Sequence, residues 1–192
     1  TNNYGAIFKY NLTTSTPGIL YNYVAADIMG SYDLMMHSNG KLYPFSGYSY
    51  GIGAFLNSCD TLGNFTQLLR FETSNDGSTC DGLSTLNNKL YGTCYVGGTD
   101  RKGTIFEFDP ANSGFTKLYD AVYDGIGGIR LHGQFLVLNN KLIGNAEYGG
   151  TTDYGQLYEF DPSTNTYTGL AEFDEVADGE APTGFMALAN NN

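Results

Sequence analysis

Gly103-Thr104-Ile105-Phe106-Glu107-Phe108-Asp109-Pro110 returns further along the chain as Gly155-Gln156-Leu157-Tyr158-Glu159-Phe160-Asp161-Pro162, nearly letter for letter. Weaker copies open at Gly5 (Gly5-Ala6-Ile7-Phe8-Lys9-Tyr10-Asn11) and at Gly53 (Gly53-Ala54-Phe55-Leu56-Asn57-Ser58-Cys59), so the four glycines stand 48, 50 and 52 residues apart. A repeat of about fifty residues is one supersecondary unit that buries its apolar faces only by stacking on its neighbours, the period of propellers and similar arrays.

The rest of the unit repeats too. A turn and strand recur as Asn39-Gly40-Lys41-Leu42-Tyr43, Asn87-Asn88-Lys89-Leu90-Tyr91 and Asn140-Lys141-Leu142-Ile143-Gly144, and diglycines follow two of them at Gly97-Gly98 and Gly149-Gly150. Aromatic segments close the units at Phe65–Phe71, Phe115–Tyr119 and Tyr167–Phe173. Each unit therefore holds four short strands: in the best-preserved copy, strand a at Gly82–Leu86, b at Lys89–Tyr95, c at Thr104–Phe108 and d at Phe115–Tyr119. Alternation puts Ile105 and Glu107 on one face of strand c and Phe106 and Phe108 on the other, as in a sheet stacked between neighbours. Asn-Gly and Asn-Asn tolerate the positive φ that a tight a–b hairpin demands, and Asp109-Pro110 and Asp161-Pro162 open polar c–d turns. No helix is expected.

The chain has 192 residues, 15% of them aromatic, with 26 glycines and five prolines, which fits one β-rich domain. No apolar run is long enough for a membrane-spanning helix, and the N-terminus shows neither an initiator Met nor a signal pattern, as expected of a mature or excised segment. A formal net charge of −11 with nine scattered basic residues disfavours a nucleic-acid partner. An acidic, Lys-poor, Asn/Thr/Gly-rich surface suits a secreted or cell-surface protein, which is the expected location.

All three cysteines, Cys59, Cys80 and Cys94, lack counterparts in the other units, which excludes a repeated metal site. Counting outward from a two-residue turn at Asn87-Asn88 pairs Leu86 with Lys89 and sets Cys80 opposite Tyr95, one place from Cys94. A Cys80–Cys94 disulfide with Cys59 free is one expectation, and three buried reduced thiols are the other.

Lys-Leu-Tyr-Gly, then Gly-Gly, then Gly-x-Ile/Leu-Phe/Tyr-Glu-Phe-Asp-Pro, then Tyr/Phe-Thr-x-Leu resembles the Gloeobacter/Verrucomicrobia-type tandem repeat of secreted bacterial proteins, related in layout to kelch β-propellers. The resemblance covers nearly the whole chain and implies an all-β propeller with four-stranded blades; it implies no particular activity. Two copies depart from it: the first lacks the diglycine around Tyr43–Tyr48, and the second replaces Phe-Asp-Pro by Ser58-Cys59-Asp60. The pattern places strands c and d of a first blade in 1–26, blades in 27–72, 73–121 and 122–174, and the first strand of another in 175–192. Either these belong to a larger ring, with further domains or subunits of a surface assembly, or four blades close on themselves.

Because the strands run up and down, b–c and d–a loops emerge at one end of each blade, where a ligand is expected. Tyr48, Tyr50, Tyr95, Tyr148 and Tyr154, with Asp100, Arg101 and Asp153, are the candidate residues: ring faces stack on sugars while polar groups bind hydroxyls. The alternative is that such tyrosines pack between blades. Asp174, Asp178 and Glu180, with Glu175, could offer oxygens to Ca²⁺, or form a solvated acidic loop. No nucleophile motif, zinc motif or phosphate loop is present, and His37 and His132 read as packing or hydrogen-bonding residues. Asn11-Leu12-Thr13 and Asn64-Phe65-Thr66 fit the N-glycosylation pattern, and Asp60-Thr61-Leu62 a short O-glycosylation one. The sequence thus supports three functions: a non-catalytic module binding a glycan or surface protein, a polysaccharide-active enzyme using loop carboxylates such as Asp100 or Asp153, or a structural accessory subunit.

Overall fold

The computed structural model describes residues 4–24, 33–46, 53–71, 75–176, 179–184 and 186–188. Every regular element among them is a strand, as the repeat predicts. The chain forms two compact units, Thr1–Phe71 and Glu72–Asn192.

In the first unit, β1 (Ala6–Asn11) and β2 (Thr16–Asn22) form a hairpin, and β3 (Asp33–Met36), β4 (Leu42–Ser46), β5 (Phe55–Cys59) and β6 (Phe65–Arg70) form a four-stranded antiparallel sheet in chain order. Ile7, Tyr23 and Cys59 bury one core between hairpin and sheet, with Tyr21 stacked on Phe65 at 4.3 Å. Cys59, a free buried thiol, faces Leu42 in the register that Phe108 and Phe160 share with Leu90 and Leu142. It therefore fills the phenylalanine position of the repeat. Asn39-Gly40 departs from the two-residue hairpin expected of it: His37 N–H still donates to the Lys41 carbonyl at 3.0 Å, and residues 38–40 make a three-residue turn closed by Gly40 N–H to the His37 carbonyl at 3.0 Å.

In the second unit, β7 (Cys80–Leu86), β8 (Lys89–Cys94), β9 (Thr104–Asp109) and β10 (Gly114–Asp120) make one such sheet, and β11 (Gly128–Leu138), β12 (Lys141–Gly149), β13 (Gln156–Asp161) and β14 (Thr166–Glu172) the next. Their turns at Asn87-Asn88 and Asn139-Asn140 carry positive φ at both positions (51° and 63°, 52° and 62°), as two-residue hairpins require. The sheets pack face to face through Leu86, Tyr91 and Ile105 of one and Leu131, Phe135, Tyr158 and Phe160 of the other, all buried.

The repeated letters have repeated contacts. Gly5, Gly53, Gly103 and Gly155 all adopt positive φ (88°, 86°, 118° and 104°), a backbone that disfavours any side chain. The carbonyls of Gly5, Gly103 and Gly155 accept the N–H of Tyr23, Ala121 and Phe173, tying the start of the third strand to the end of the fourth. Lys89 and Lys141 pair with Glu107 and Glu159 at 2.6 and 2.5 Å. Asn11, Asp60, Asp109 and Asp161 each accept the N–H two residues on, closing the turn between third and fourth strands.

A disulfide joins Cys80 and Cys94, directly opposite each other in β7 and β8. The expected count of Cys80 against Tyr95 is off by one because a bulge lies between Asp81 and Leu83, where Gly82 turns to φ +66°. A matching irregularity follows His132 in β11 at Gly133 (φ +74°). The two bulges touch: a Cβ on Gly82 would lie 2.0 Å from the Gly133 carbonyl. Residues 181–184 dock on β12, and none of the described residues after β14 is in a strand. Ala181 N–H donates to the Tyr154 carbonyl at 3.0 Å, and Asn145 Nδ2 to the Pro182 carbonyl at 2.6 Å.

Candidate functional site

The loops joining second to third strands are built alike in both sheets of the second unit. Gly97-Gly98 and Gly149-Gly150 all have positive φ and press on the backbone of Gly77 and Gly127 or on the side chains of Asp120 and Glu172. Thr99 and Thr151 then hydrogen-bond those two carboxylates. Arg101 and Asp153 occupy the same left-handed turn position (φ 57° and 61°), and Arg130 and Ala181 share another (φ 56° and 52°). The N–H of Arg130 and of Ala181 reach the Lys102 and Tyr154 carbonyls at 2.6 and 3.0 Å, so this backbone is common architecture. The side chains hung on it differ, and they make the site.

Between the two loops lies a cleft of about 300 Å³ lined by Lys102, Tyr123, Ile129, Arg130, Tyr148 and Asp153. The Arg130 guanidinium sits over both the Tyr95 and Tyr148 rings, 5.1 and 5.0 Å from their centroids, and donates to the Tyr95 hydroxyl at 2.6 Å. Lys102 Nζ lies 5.6 Å from the Tyr123 centroid. Asp153 is spent on the frame: Oδ1 accepts Gly149 N–H at 3.0 Å and Oδ2 the Tyr123 hydroxyl at 3.2 Å.

Behind Arg130 the two sheets meet in a polar chain. His132 Nδ1 is 3.0 Å from Asp81 Oδ2, and its Nε2 is 3.7 Å from Glu147 Oε2, which lies 3.9 Å from Arg130 Nη1. Burial opposes charging of His132, but Asp81 and Glu147 outweigh it and raise its pKa above the ordinary imidazole value. Burial, with Glu147 nearby, pushes the Tyr95 phenol up to about 12. Asp81 hydrogen-bonds one edge of the imidazole and Glu147 faces the other as a charge at 3.7 Å, so this cluster links the two sheets behind Arg130.

Of the residues singled out from sequence, Tyr148 and Asp153 line the cleft and Tyr95 supports it. Asp100 and Arg101 are exposed on the turn beside it and do not line it. Tyr154 points to the next junction, its hydroxyl donating to Glu175 at 2.8 Å. Tyr48, Tyr50 and Asp178 lie outside the described residues. Asp174 caps its own turn by accepting Val176 N–H at 2.8 Å, and no group of three or more His, Cys, Asp or Glu that could hold a metal occurs among the described residues. Lys102, Tyr123, Arg130 and Glu147 escaped the sequence reading. Setting the repeats side by side would have exposed them, because charge changes there while the frame does not.

Two larger hollows follow the architecture instead. One, of about 490 Å³, lies at the opposite end among residues that both sheets of the second unit repeat, Asn87 with Asn139 and Lys89 with Lys141. The other, of about 740 Å³, runs along β14 beside Tyr119 and Tyr167, whose rings stack at 5.0 Å as packing.

The chain is similar in structure to TolB from Acinetobacter baumannii, at 13% identity and a TM-score of 0.52, covering 85% of this chain and 36% of that one. It thus spans about a third of that relative's length. Lower likenesses are to the extracellular domain of the putative one component system BT4673 from B. thetaiotaomicron (14% identity, TM-score 0.43, 80% of this chain and 24% of that) and to a putative glycoside hydrolase from Parabacteroides distasonis (12%, 0.40, 79% and 58%). No curated protein matches the sequence. The stacked four-stranded antiparallel sheets are blades of a β-propeller-type fold. The family model described as the Gloeobacter/Verrucomicrobia repeat matches residues 1–192, and the chain belongs to that family.

Proposed function

We propose that this repeat domain is a secreted or surface-exposed, non-catalytic module that binds a glycan in the cleft between the second unit's two sheets. The observation carrying this is Arg130, held between the Tyr95 and Tyr148 rings at the mouth of a cleft whose other wall is Tyr123, 54% exposed. A half-bare phenol ring beside fixed polar groups matches what a pyranose offers, an apolar ring face edged by hydroxyls. The Cys80–Cys94 disulfide supports an oxidising compartment outside the cytoplasm. The engagement of His132 by Asp81 and Glu147, and of Asp153 by Gly149 and Tyr123, supports binding without turnover.

The test is a glycan-array screen of the intact protein beside Tyr123→Ala and Tyr148→Ala. The expected result is a confined set of polysaccharide hits that both variants weaken about tenfold or more, the loss of one stacking contact. Hits that survive both substitutions, or a blank array, would overturn the proposal.

A further inference from the structure

The cleft carries two cations on a protein of net charge −11. Repeat equivalence shows that this charge is not architecture. At the neighbouring junction, with the same backbone bonds, Arg130 is replaced by Ala181, Lys102 by Tyr154 and Tyr123 by Glu175. One junction thus carries two cations at positions where the next, built on the same frame, carries none.

Two carboxylates offset the pair in part, Asp153 in the cleft lining and Glu147 beside Arg130, but neither makes an ion pair with Lys102. Both Asp153 oxygens are taken by Gly149 N–H and the Tyr123 hydroxyl, and Lys102 has no ion pair among the described residues. Arg130 meets Glu147 only at 3.9 Å and through one nitrogen, Nη1, while the two flanking rings hold the guanidinium plane. A planar fork so held suits a carboxylate, and a lysine across the cleft adds a point charge.

We infer that the cleft selects an anionic sugar, a uronate whose carboxylate is held by Arg130 and Lys102 while its ring lies against Tyr123. This rests on the glycan reading above and narrows it to a ligand class. The ordered fork supplies the selectivity; the overall negative charge of the protein would repel polyanions that lack this fit.

The experiment is titration calorimetry of the intact protein with trigalacturonate and trimannuronate, each beside its neutral counterpart, galactotriose and mannotriose. At least one uronate is expected to bind about tenfold tighter than its neutral partner, the value of one charged hydrogen bond. Lys102→Gln and Arg130→Gln should each cost about tenfold for the uronate and clearly less for the neutral sugar, so that the preference for the uronate falls. Lys141→Gln, at the opposite end, is the control that should change nothing. Lys102 is partly exposed, so its variant keeps the test sharp even if Arg130→Gln disturbs the sheet junction. Equal affinity for charged and neutral sugars would overturn the inference and leave the glycan reading standing. Binding of none of the four, or of hexaglutamate as tightly as a uronate, would overturn both.

Discussion

Asp81 Oδ2 lies 3.0 Å from His132 Nδ1, joining β7 of one sheet to β11 of the next across fifty-one residues of chain. With Glu147 on its other edge, His132 has a folded pKa above its ordinary 6.5. A group raised on folding stabilises fully below its unfolded pKa and loses that contribution as pH climbs through the folded value. Thermal melts of wild type and His132→Gln should therefore differ most below pH 6.5 and converge at alkaline pH. A gap that widens as pH rises would show that His132 is neutral in the folded protein.

Gly92 and Gly144, the glycines that follow the Lys-Leu-Tyr and Lys-Leu-Ile steps, sit beneath aromatic rings of the third strand. An added Cβ would lie 2.4 Å from Phe106 Cζ and 2.5 Å from the Tyr158 ring. Gly92→Ala should cost about 1–3 kcal/mol by overpacking. Phe106→Leu in the same chain should return part of it, a positive coupling read by a double-mutant cycle in urea. Additive losses would mean that the ring does not meet the new methyl.

The Cys80–Cys94 bond closes a short loop, at a sequence separation of 14. Loop-closure entropy puts its contribution at about 3 kcal/mol. Cys80→Ser/Cys94→Ser and reduction of the wild type should lower stability by similar amounts, and Cys59→Ser should leave the difference between oxidised and reduced protein intact. A reductant effect that persists in the double variant would point away from this bond.

Asn145 reaches from β12 to the Pro182 carbonyl at 2.6 Å, holding residues 181–184 against the sheet. Asn145→Ala should speed amide exchange in that segment while β12 and β13 stay protected, at a global cost of about 1 kcal/mol. Exchange that rises across the whole sheet would make Asn145 a core residue instead.

The strands were legible because their signals are local: positive-φ Asn pairs, Asx turns and alternating Ile105-Phe106-Glu107-Phe108 need no distant partner. Even the pairing of the repeated Lys with the repeated Glu follows from strand order once the hairpins are drawn. The register of β7 was not legible, because Gly82 takes its bulge against Gly133 of another sheet, a contact that no spacing within one unit encodes. The same holds for the site. Tyr148 and Asp153 stand out in a loop, but Arg130 lies inside a strand and Lys102 beside the repeat glycine, and only packing of the two sheets brings them together. Asp100 and Arg101 stand on an exposed turn beside the cleft.

Each four-stranded blade fastens the start of its third strand to the residue just past its fourth, through the carbonyl of Gly103, of Gly155 or, beside Gly53, of Ala54. Its polar side chains at the rim of the border are consequently free to vary, while its apolar faces still need a neighbour to cover them. When such a unit is copied in a gene, the copy brings its own strand pairing, and what it creates is a fresh seam with its neighbour. Mutation can then rewrite that seam a few residues at a time, as Arg130 and Ala181 illustrate on one backbone, so an array of this kind can acquire distinct recognition sites by lengthening.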